Sequence, residues 1–158
     1  MLTVTDLPGG WSVAPQPLSD RSLCPGQDPT AAVPATANAD ASFEQGESGP
    51  RLTSFLAAFK DVTTARLFLA HADDAIAACA SYQVSGATFH LRPIASPGVG
   101  DQSLGAELSS DSTLGGGLHG QVLYARLGSR VVTIVFGGGG NVDESVALRA
   151  LRTVAARL

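Results

Sequence analysis

The chain has 158 residues, of which 44% are hydrophobic and 15% charged, a composition typical of one globular domain with a substantial core. The net charge is −4 and the 10 lysines and arginines are scattered singly, which weighs against a nucleic-acid-binding surface. No stretch approaches the ~18 consecutive apolar residues that a membrane-spanning helix requires.

The two cysteines, Cys24 and Cys79, occur in contrasting settings. Cys24 lies in a loop-like stretch beside proline and glycine, whereas Cys79 ends an alanine-rich segment with helical periodicity. A cysteine in such a loop has little packing reason to be there, so we expect a disulfide that tethers the irregular, proline-rich loop at residues 15–38 to a helix. Structural disulfides persist in oxidising compartments, which predicts an extracytoplasmic domain. The alternative is two unrelated buried thiols in a cytosolic protein.

The N-terminal residues show neither the charged nor the apolar segment of a signal peptide. We therefore expect the chain to be the soluble part of a longer exported protein, anchored by a lipid or a membrane segment outside these residues. No repeat, low-complexity tail or internal boundary interrupts the sequence, so residues 1–158 are predicted to form a single domain.

The N-terminal half predicts extended runs followed by one long helix. Runs at residues 39–45 and 52–59 flank a turn-rich joint at 46–50, which indicates a hairpin. The second run is apolar on both faces, as in a strand near the middle of a covered sheet. Asp61 is a suitable N-cap for a helix near 62–80. The apolar stripe of that helix consists of Val62, Ala65, Leu69, Ala72, Ile76 and Cys79.

The C-terminal half predicts four strands and a terminal helix. The strands lie near residues 87–92, 103–108, 121–127 and 130–136, and Gly128-Ser129 between the last two is a strong hairpin signal. The helix lies near 143–157. Because direct hairpins dominate, we predict an α+β fold with a single, largely antiparallel sheet of five to seven strands, covered by two main helices.

No motif predicts catalysis. The glycine run at 137–140 precedes a helix as phosphate-binding loops do, but it lacks the Gly-Lys-Ser/Thr ending and the third glycine of a dinucleotide fingerprint. We interpret it as a flexible connector. No pair of histidines has metal-ligand spacing, and no Gly-x-Ser-x-Gly marks a nucleophile. We therefore expect no enzymatic activity, no cofactor and no metal site.

Polar side chains at alternate positions of the predicted strands are the better candidates for binding. Side chains two residues apart on a strand share a face, so we expect one polar sheet face to border a cleft. The predicted ligand-binding residues are His90, Arg92, Glu107, Tyr124 and Arg126. The two arginines would anchor an anionic or carbohydrate ligand, and the tyrosine would offer an apolar platform. The alternative is that these residues are solvated, with the arginines free or paired with the glutamate.

Several short motifs together suggest a family. They are the opening Leu2-Thr3-x-x-Asp6-Leu7-Pro8-Gly9-Gly10-Trp11, the loop cysteine Cys24, Phe43 in its strand, and Leu56-x-x-Phe59 before an alanine-rich helix that ends in Cys79. With them, the chain resembles the PknH-like extracellular sensor domains of mycobacterial Ser/Thr kinases and many small actinobacterial lipoproteins. The resemblance implies an α+β domain outside the membrane, a disulfide, a cleft for an unidentified ligand and no catalytic residue. Kinase-attached members carry two disulfides, whereas this chain has cysteines for one.

We therefore predict a non-enzymatic extracytoplasmic sensor or ligand-binding domain of an envelope lipoprotein or membrane-anchored receptor. Its expected partner is an unknown small molecule or cell-envelope component. The alternatives are a protein-interaction or scaffold domain and a small hydrolase whose residues assemble in space. A concave pocket with convergent polar groups would favour the first function, a flat apolar patch the second, and a Ser or Asp within hydrogen-bond reach of a His the third.

Overall fold

A computed structural model describes residues 1–15, 23–111, 117–140 and 142–158. Most of the predicted irregular loop is described, but its residues 16–22 lie outside these ranges. In chain order the elements are a 3₁₀ turn (Val4–Asp6), β1 (Ser12–Val13), α1 (Pro29–Ala32), β2 (Ala37–Glu44), β3 (Arg51–Ala58), α2 (Val62–Ala78), β4 (Tyr82–Val84), β5 (Ala87–Pro93), β6 (Gln102–Asp111), β7 (Leu118–Leu127), β8 (Arg130–Gly139) and α3 (Ser145–Ala155).

The strands form one sheet in the order β1-β2-β3-β8-β7-β6-β5-β4, and every neighbouring pair is antiparallel. The predicted α+β class and antiparallel sheet are therefore confirmed. The predicted count of five to seven strands is wrong, because the described residues form a sheet of 8 strands. The edge strands β1 and β4 have 2 and 3 residues, too few for alternation to show in the sequence.

The helix count also needs correction, because α1 adds a short third helix within the predicted irregular loop. Its 4 residues begin at Pro29, and the Asp28 side chain accepts a hydrogen bond from the Thr30 backbone N–H. Proline at the first helical position after an aspartate cap is a favoured helix start. The two main helices agree with prediction, at Val62–Ala78 and Ser145–Ala155.

The two hairpins predicted from turn residues are confirmed. The joint at 46–50 connects β2 to β3, and Gly128-Ser129 connects β7 to β8, where Leu127 pairs with Arg130. Strand β3 pairs with β8 at the centre of the sheet, which explains why both strands are apolar on both faces. Apolar residues on both faces indicate a central strand, and the pairing of β3 with β8, which lie far apart in the sequence, agrees with that indication.

A main helix covers each face of the sheet, so the domain has three layers. On the α2 face, helix residues Phe68 and Ile76 pack with sheet residues such as Val122. On the α3 face, Leu151 packs with sheet residues such as Phe136. The sheet therefore contributes to two apolar cores that lie on opposite sides of it.

The glycine run is part of a strand and not a flexible connector. β8 continues to Gly139, and Gly137 pairs with Gly120 of β7. A β-carbon on Gly120 would lie 2.2 Å from the carbonyl oxygen of Phe136, so only glycine permits this close approach of the backbones. The alternation of polar and apolar side chains did not predict this extension of β8, because glycine has no side chain.

The predicted disulfide joins Cys24 to Cys79, with Cα atoms 5.8 Å apart. Both cysteines are buried, and Cys79 is the C-cap of α2. The bond thereby attaches the segment that contains α1 to the end of α2. Within the described residues, no helix combines the length and apolarity needed to cross a membrane.

Candidate functional site

The strand register separates the five predicted ligand-binding residues into two groups. Arg92 pairs with Glu107, which pairs with Gln121, and that row continues to Phe136 on the α3 face. Directly paired residues share a face, so Arg92 and Glu107 lie on the α3 face. His90, two residues before Arg92, shares it.

Tyr124 and Arg126 lie on the opposite, α2 face. Tyr124 pairs with Leu104 and Thr133 and belongs to the core beneath α2. The expectation that all five residues share one polar face is therefore wrong. Each pair within one strand does share a face as predicted, but the relation between strands depends on their register, which the sequence does not display.

Arg126 is a structural residue in this fold. Its side chain is 5% exposed and donates hydrogen bonds from Nη1 to Asp101 Oδ2 at 3.0 Å and to the Gly128 carbonyl oxygen at 2.9 Å. The Gly128 backbone N–H donates to the same Asp101 oxygen at 2.8 Å. That backbone hydrogen bond, together with the Arg126 guanidinium, lowers the pKa of Asp101. Arg126 thus fixes the β7–β8 turn against the start of β6.

The α3-face group remains near solvent. Arg92 is exposed, and Glu107 is half-buried. His90 Nε2 lies 3.0 Å from Asp111 Oδ2, with both side chains accessible. This distance meets the criterion stated for the hydrolase alternative, an aspartate within hydrogen-bond reach of a histidine. Among the described residues, no serine hydroxyl hydrogen-bonds to His90.

The α2 face contains a cavity of about 200 Å³. Its floor is the sheet, where Phe55, Ala57, Val122, Tyr124, Thr133 and Val135 line it. Phe68 of α2 and Tyr82 of β4 also line the cavity, as do Leu23, Pro29 and Thr30. These last three residues belong to the segment that the disulfide attaches to α2, so the bond connects two of the elements that line the cavity.

The aromatic residues of the cavity are held by contacts with one another. The Phe68 ring lies 5.1 Å from that of Phe59 and 6.4 Å from that of Tyr124, measured between centroids. Tyr82 stacks on Phe89 at 5.4 Å. Because tilted and stacked rings at these distances attract one another, the side chains that shape the cavity have defined positions.

The chemistry of the cavity is mostly apolar, with a few hydroxyl groups. Tyr124 is 3% exposed, and in the described part of the chain its hydroxyl has no hydrogen-bond partner. Burial, and secondarily the negative charge of Asp28, raises the pKa of Tyr124; burial also raises the pKa of Tyr82. Both phenols are therefore neutral hydrogen-bond donors at physiological pH.

The sequence analysis missed this cavity because its walls come from segments far apart in the chain. Leu23, Phe68 and Leu91 are indistinguishable from ordinary core residues in the sequence. Two signals pointed towards it. Cys24 tethers the segment beside Leu23, and Thr133 is the lone polar residue in the run 131–136, which is apolar on both faces.

The chain is an α+β domain in which an antiparallel sheet has a helix on each face and a disulfide-tethered segment contributes to an apolar cavity. No protein-family model matches the chain, and no curated protein matches it. Among solved structures, the chain is similar to the extracellular domain of PknH from Mycobacterium tuberculosis, with a TM-score of 0.63 and 14% identity over 82% of this chain and 69% of that one. The chain therefore has a PknH-like sensor-domain fold, and the resemblance inferred from short motifs is confirmed at the level of the fold.

Proposed function

We propose that the chain is a non-enzymatic extracytoplasmic sensor domain that binds a small molecule or cell-envelope component in the cavity on the α2 face. The observation that carries the proposal is the cavity itself, an apolar site with the hydroxyl groups of the buried Tyr124 and the half-buried Thr133 at its floor. Ligand sites typically combine a concave apolar lining with a few placed polar groups. The fold shared with an extracellular kinase domain supports the sensor role.

The disulfide supports the proposed location. A buried bond between Cys24 and Cys79 is typical of proteins in oxidising compartments. In this proposal the domain is attached to the membrane by a lipid or a membrane segment outside the chain, as a lipoprotein or a receptor ectodomain.

A ligand in the cavity would contact three parts of the fold at once. Leu23 and Pro29 belong to the tethered segment, Phe68 belongs to α2, and Val122 belongs to the sheet. Binding would favour the arrangement of segment and helix that closes best on the ligand, because a ligand shifts a protein towards the state it binds more tightly. Such a shift is the physical form that sensing would take here.

The protein-interaction alternative has less support. The exposed large hydrophobic side chains of the described residues are Val13, Val62, Leu67 and Val84. They lie on β1, α2 and β4, which occupy different parts of the domain, since β1 and β4 are opposite edges of the sheet. Scattered single apolar residues are ordinary for a protein surface and do not form a docking patch.

Thermal unfolding against a panel of muropeptides, oligosaccharides and short-chain lipids tests the proposed function. Ligand that binds only the folded state raises Tm. We expect at least one compound to raise Tm of the parent and not of an Ala57→Leu variant, in which the larger side chain occupies the cavity. Ala70→Leu, at an exposed position of α2, is the matched control. Equal shifts in the parent and in Ala57→Leu would place binding elsewhere, and the absence of any shift would favour a protein partner.

A further inference from the structure

The lining of the cavity determines which ligands it can accept. Among the residues that line it there is no aspartate, glutamate, lysine, arginine or histidine. Arg126 lies on the same face, two residues from Tyr124, but its Nη1 is committed to Asp101 and Gly128. A carboxylate or phosphate would therefore lose its hydration without gaining a cationic partner, which is strongly unfavourable.

A negative charge outside the lining also disfavours an anionic ligand. The negative charge of Asp28 contributes to raising the pKa of Tyr124, so its field reaches the floor of the cavity and would repel an anion. Asp28 itself is engaged at the start of α1, where its Oδ1 accepts hydrogen bonds from the backbone and side chain of Thr30 at 2.8 and 2.7 Å. The same field would attract a cation, but Asp28 does not line the cavity, so a cation would find no carboxylate there with which to form a direct ion pair.

The volume indicates the size of the group that the cavity can hold. A dry protein cavity of ~150 Å³ lined by aliphatic and aromatic side chains binds benzene, and this cavity measures about 200 Å³. It is therefore large enough for one aromatic ring with a small substituent.

Two hydroxyl groups at the floor specify the polar end of that group. Tyr124 and Thr133 are direct cross-strand partners and both line the cavity. Among the described residues, neither hydroxyl has a hydrogen-bond partner, although Tyr124 is only 3% exposed. Thr133 is half-buried, and because both side chains line the cavity, their hydroxyls are placed to hydrogen-bond with a group that occupies it.

We infer that the cavity binds an uncharged, predominantly apolar group of about the size of one substituted aromatic ring, with a hydrogen-bond acceptor directed at Tyr124 and Thr133. This inference rests on the proposed function and specifies its ligand class. It replaces the anionic or carbohydrate ligand expected from Arg92 and Arg126, because those two arginines do not face the cavity together.

Benzamide, benzoate, benzylammonium and toluene test the inference, because they share one ring and differ in charge and hydrogen bonding. Titrations followed by two-dimensional amide NMR give the dissociation constant and the location of each probe. We expect benzamide to shift the amide resonances around Tyr124 and Thr133 and to bind at least tenfold more tightly than either charged probe. Tyr124→Phe should weaken benzamide about fivefold, the loss of one hydrogen bond, and leave toluene unchanged. Ala57→Leu should abolish binding, and Ala70→Leu should preserve it.

The unfavourable outcomes are distinguishable. Tighter binding of benzoate or benzylammonium than of benzamide, lost in Ala57→Leu, would overturn the ligand class but retain the cavity as the binding site of the proposed function. An equal effect of Tyr124→Phe on benzamide and toluene would overturn the assigned hydrogen bond. No shift of cavity resonances with any probe would overturn the inference, whereas the proposed function would be overturned separately, if no compound of the thermal-unfolding panel raised Tm.

Discussion

Cys24 lies directly beside Leu23, which lines the cavity, and its disulfide partner Cys79 ends α2, which carries the cavity-lining residue Phe68. One covalent bond thus supports the fold and connects two of the elements that line the cavity. The segment also packs against α2 through the core that contains Val33, so the bond and this packing hold it together. The stability of the domain and the integrity of the cavity are therefore linked.

Removal of the disulfide should lower both stability and ligand affinity. The bond spans 55 residues, and the chain-entropy model gives such a loop about 4 kcal/mol as an upper value. We expect a Cys24→Ser, Cys79→Ser variant to unfold at lower urea concentration and to bind benzamide more weakly, because the wall at Leu23 is released. Alkylation and intact mass of the native parent supply the control, since no free thiol should react. Unchanged urea midpoint and affinity in the double variant would contradict the linkage.

Alanine substitutions of the two predicted ligand-binding arginines should change the free energy of unfolding by different amounts. Arg126→Ala removes a buried side chain that hydrogen-bonds Asp101 and Gly128, so we expect a loss of about 2 kcal/mol in the free energy of unfolding. Arg92 is exposed, and Arg92→Ala should change that free energy by less than about 0.5 kcal/mol. Urea unfolding of both variants measures the difference, and equal effects would refute the structural role of Arg126.

Local sequence signals predicted much of this fold because their physical causes are local. Asp61 caps α2 through a hydrogen bond from the Thr64 backbone N–H, and Gly128-Ser129 adopts the hairpin that its residues favour. The disulfide was predictable because a loop cysteine has few reasons to exist without a partner. These features depend on residues close in sequence or on the two cysteines alone.

The candidate site could not be predicted in the same way. Tyr124 and Arg92 each occupy a polar-looking position in an alternating strand, and the register alone decides that they face opposite helices. The cavity requires the segment at Leu23 to meet Phe68, which depends on how unrelated segments pack. Periodicity within one strand carries no information about either relationship.

Two glycines in the central hairpin should respond oppositely to the same substitution. A β-carbon on Gly120 would lie 2.2 Å from the Phe136 carbonyl oxygen, whereas one on Gly139 would have no neighbour within 4 Å. Gly120→Ala must separate β7 from β8, and we expect it to cost about 1–3 kcal/mol. Gly139→Ala should be neutral or stabilising by about 0.5 kcal/mol, because alanine restricts the unfolded chain. Urea unfolding of the pair tests this, and a similar loss in both would show that the close contact is not responsible.

The last prediction concerns pH and the contact between the two ends of the chain. The Arg157 guanidinium hydrogen-bonds the Asp6 carboxylate, with Nη1 at 2.9 Å from Oδ2, and the Thr3 hydroxyl and backbone N–H donate to the same oxygen. The hydrogen bond from Arg157, followed by those from Thr3, holds the pKa of Asp6 well below its usual range. The folded state therefore binds the Asp6 proton more weakly than the unfolded state does.

The pKa of an aspartate in the unfolded state is about 3.9. Because the pKa of Asp6 is lower in the folded state, its ionised carboxylate stabilises the folded protein above that pH, and this contribution is lost as the pH falls below it. The parent should therefore lose stability between pH 5 and pH 2 more steeply than Asp6→Asn, whose side chain does not titrate. The two stabilities should converge at the acid end. Asp73→Asn, at an exposed position of α2, serves as the control and should follow the parent. Urea unfolding at stepped pH measures all three proteins, and parallel curves for the parent and Asp6→Asn would show that the contact between Asp6 and Arg157 contributes no pH-dependent stability.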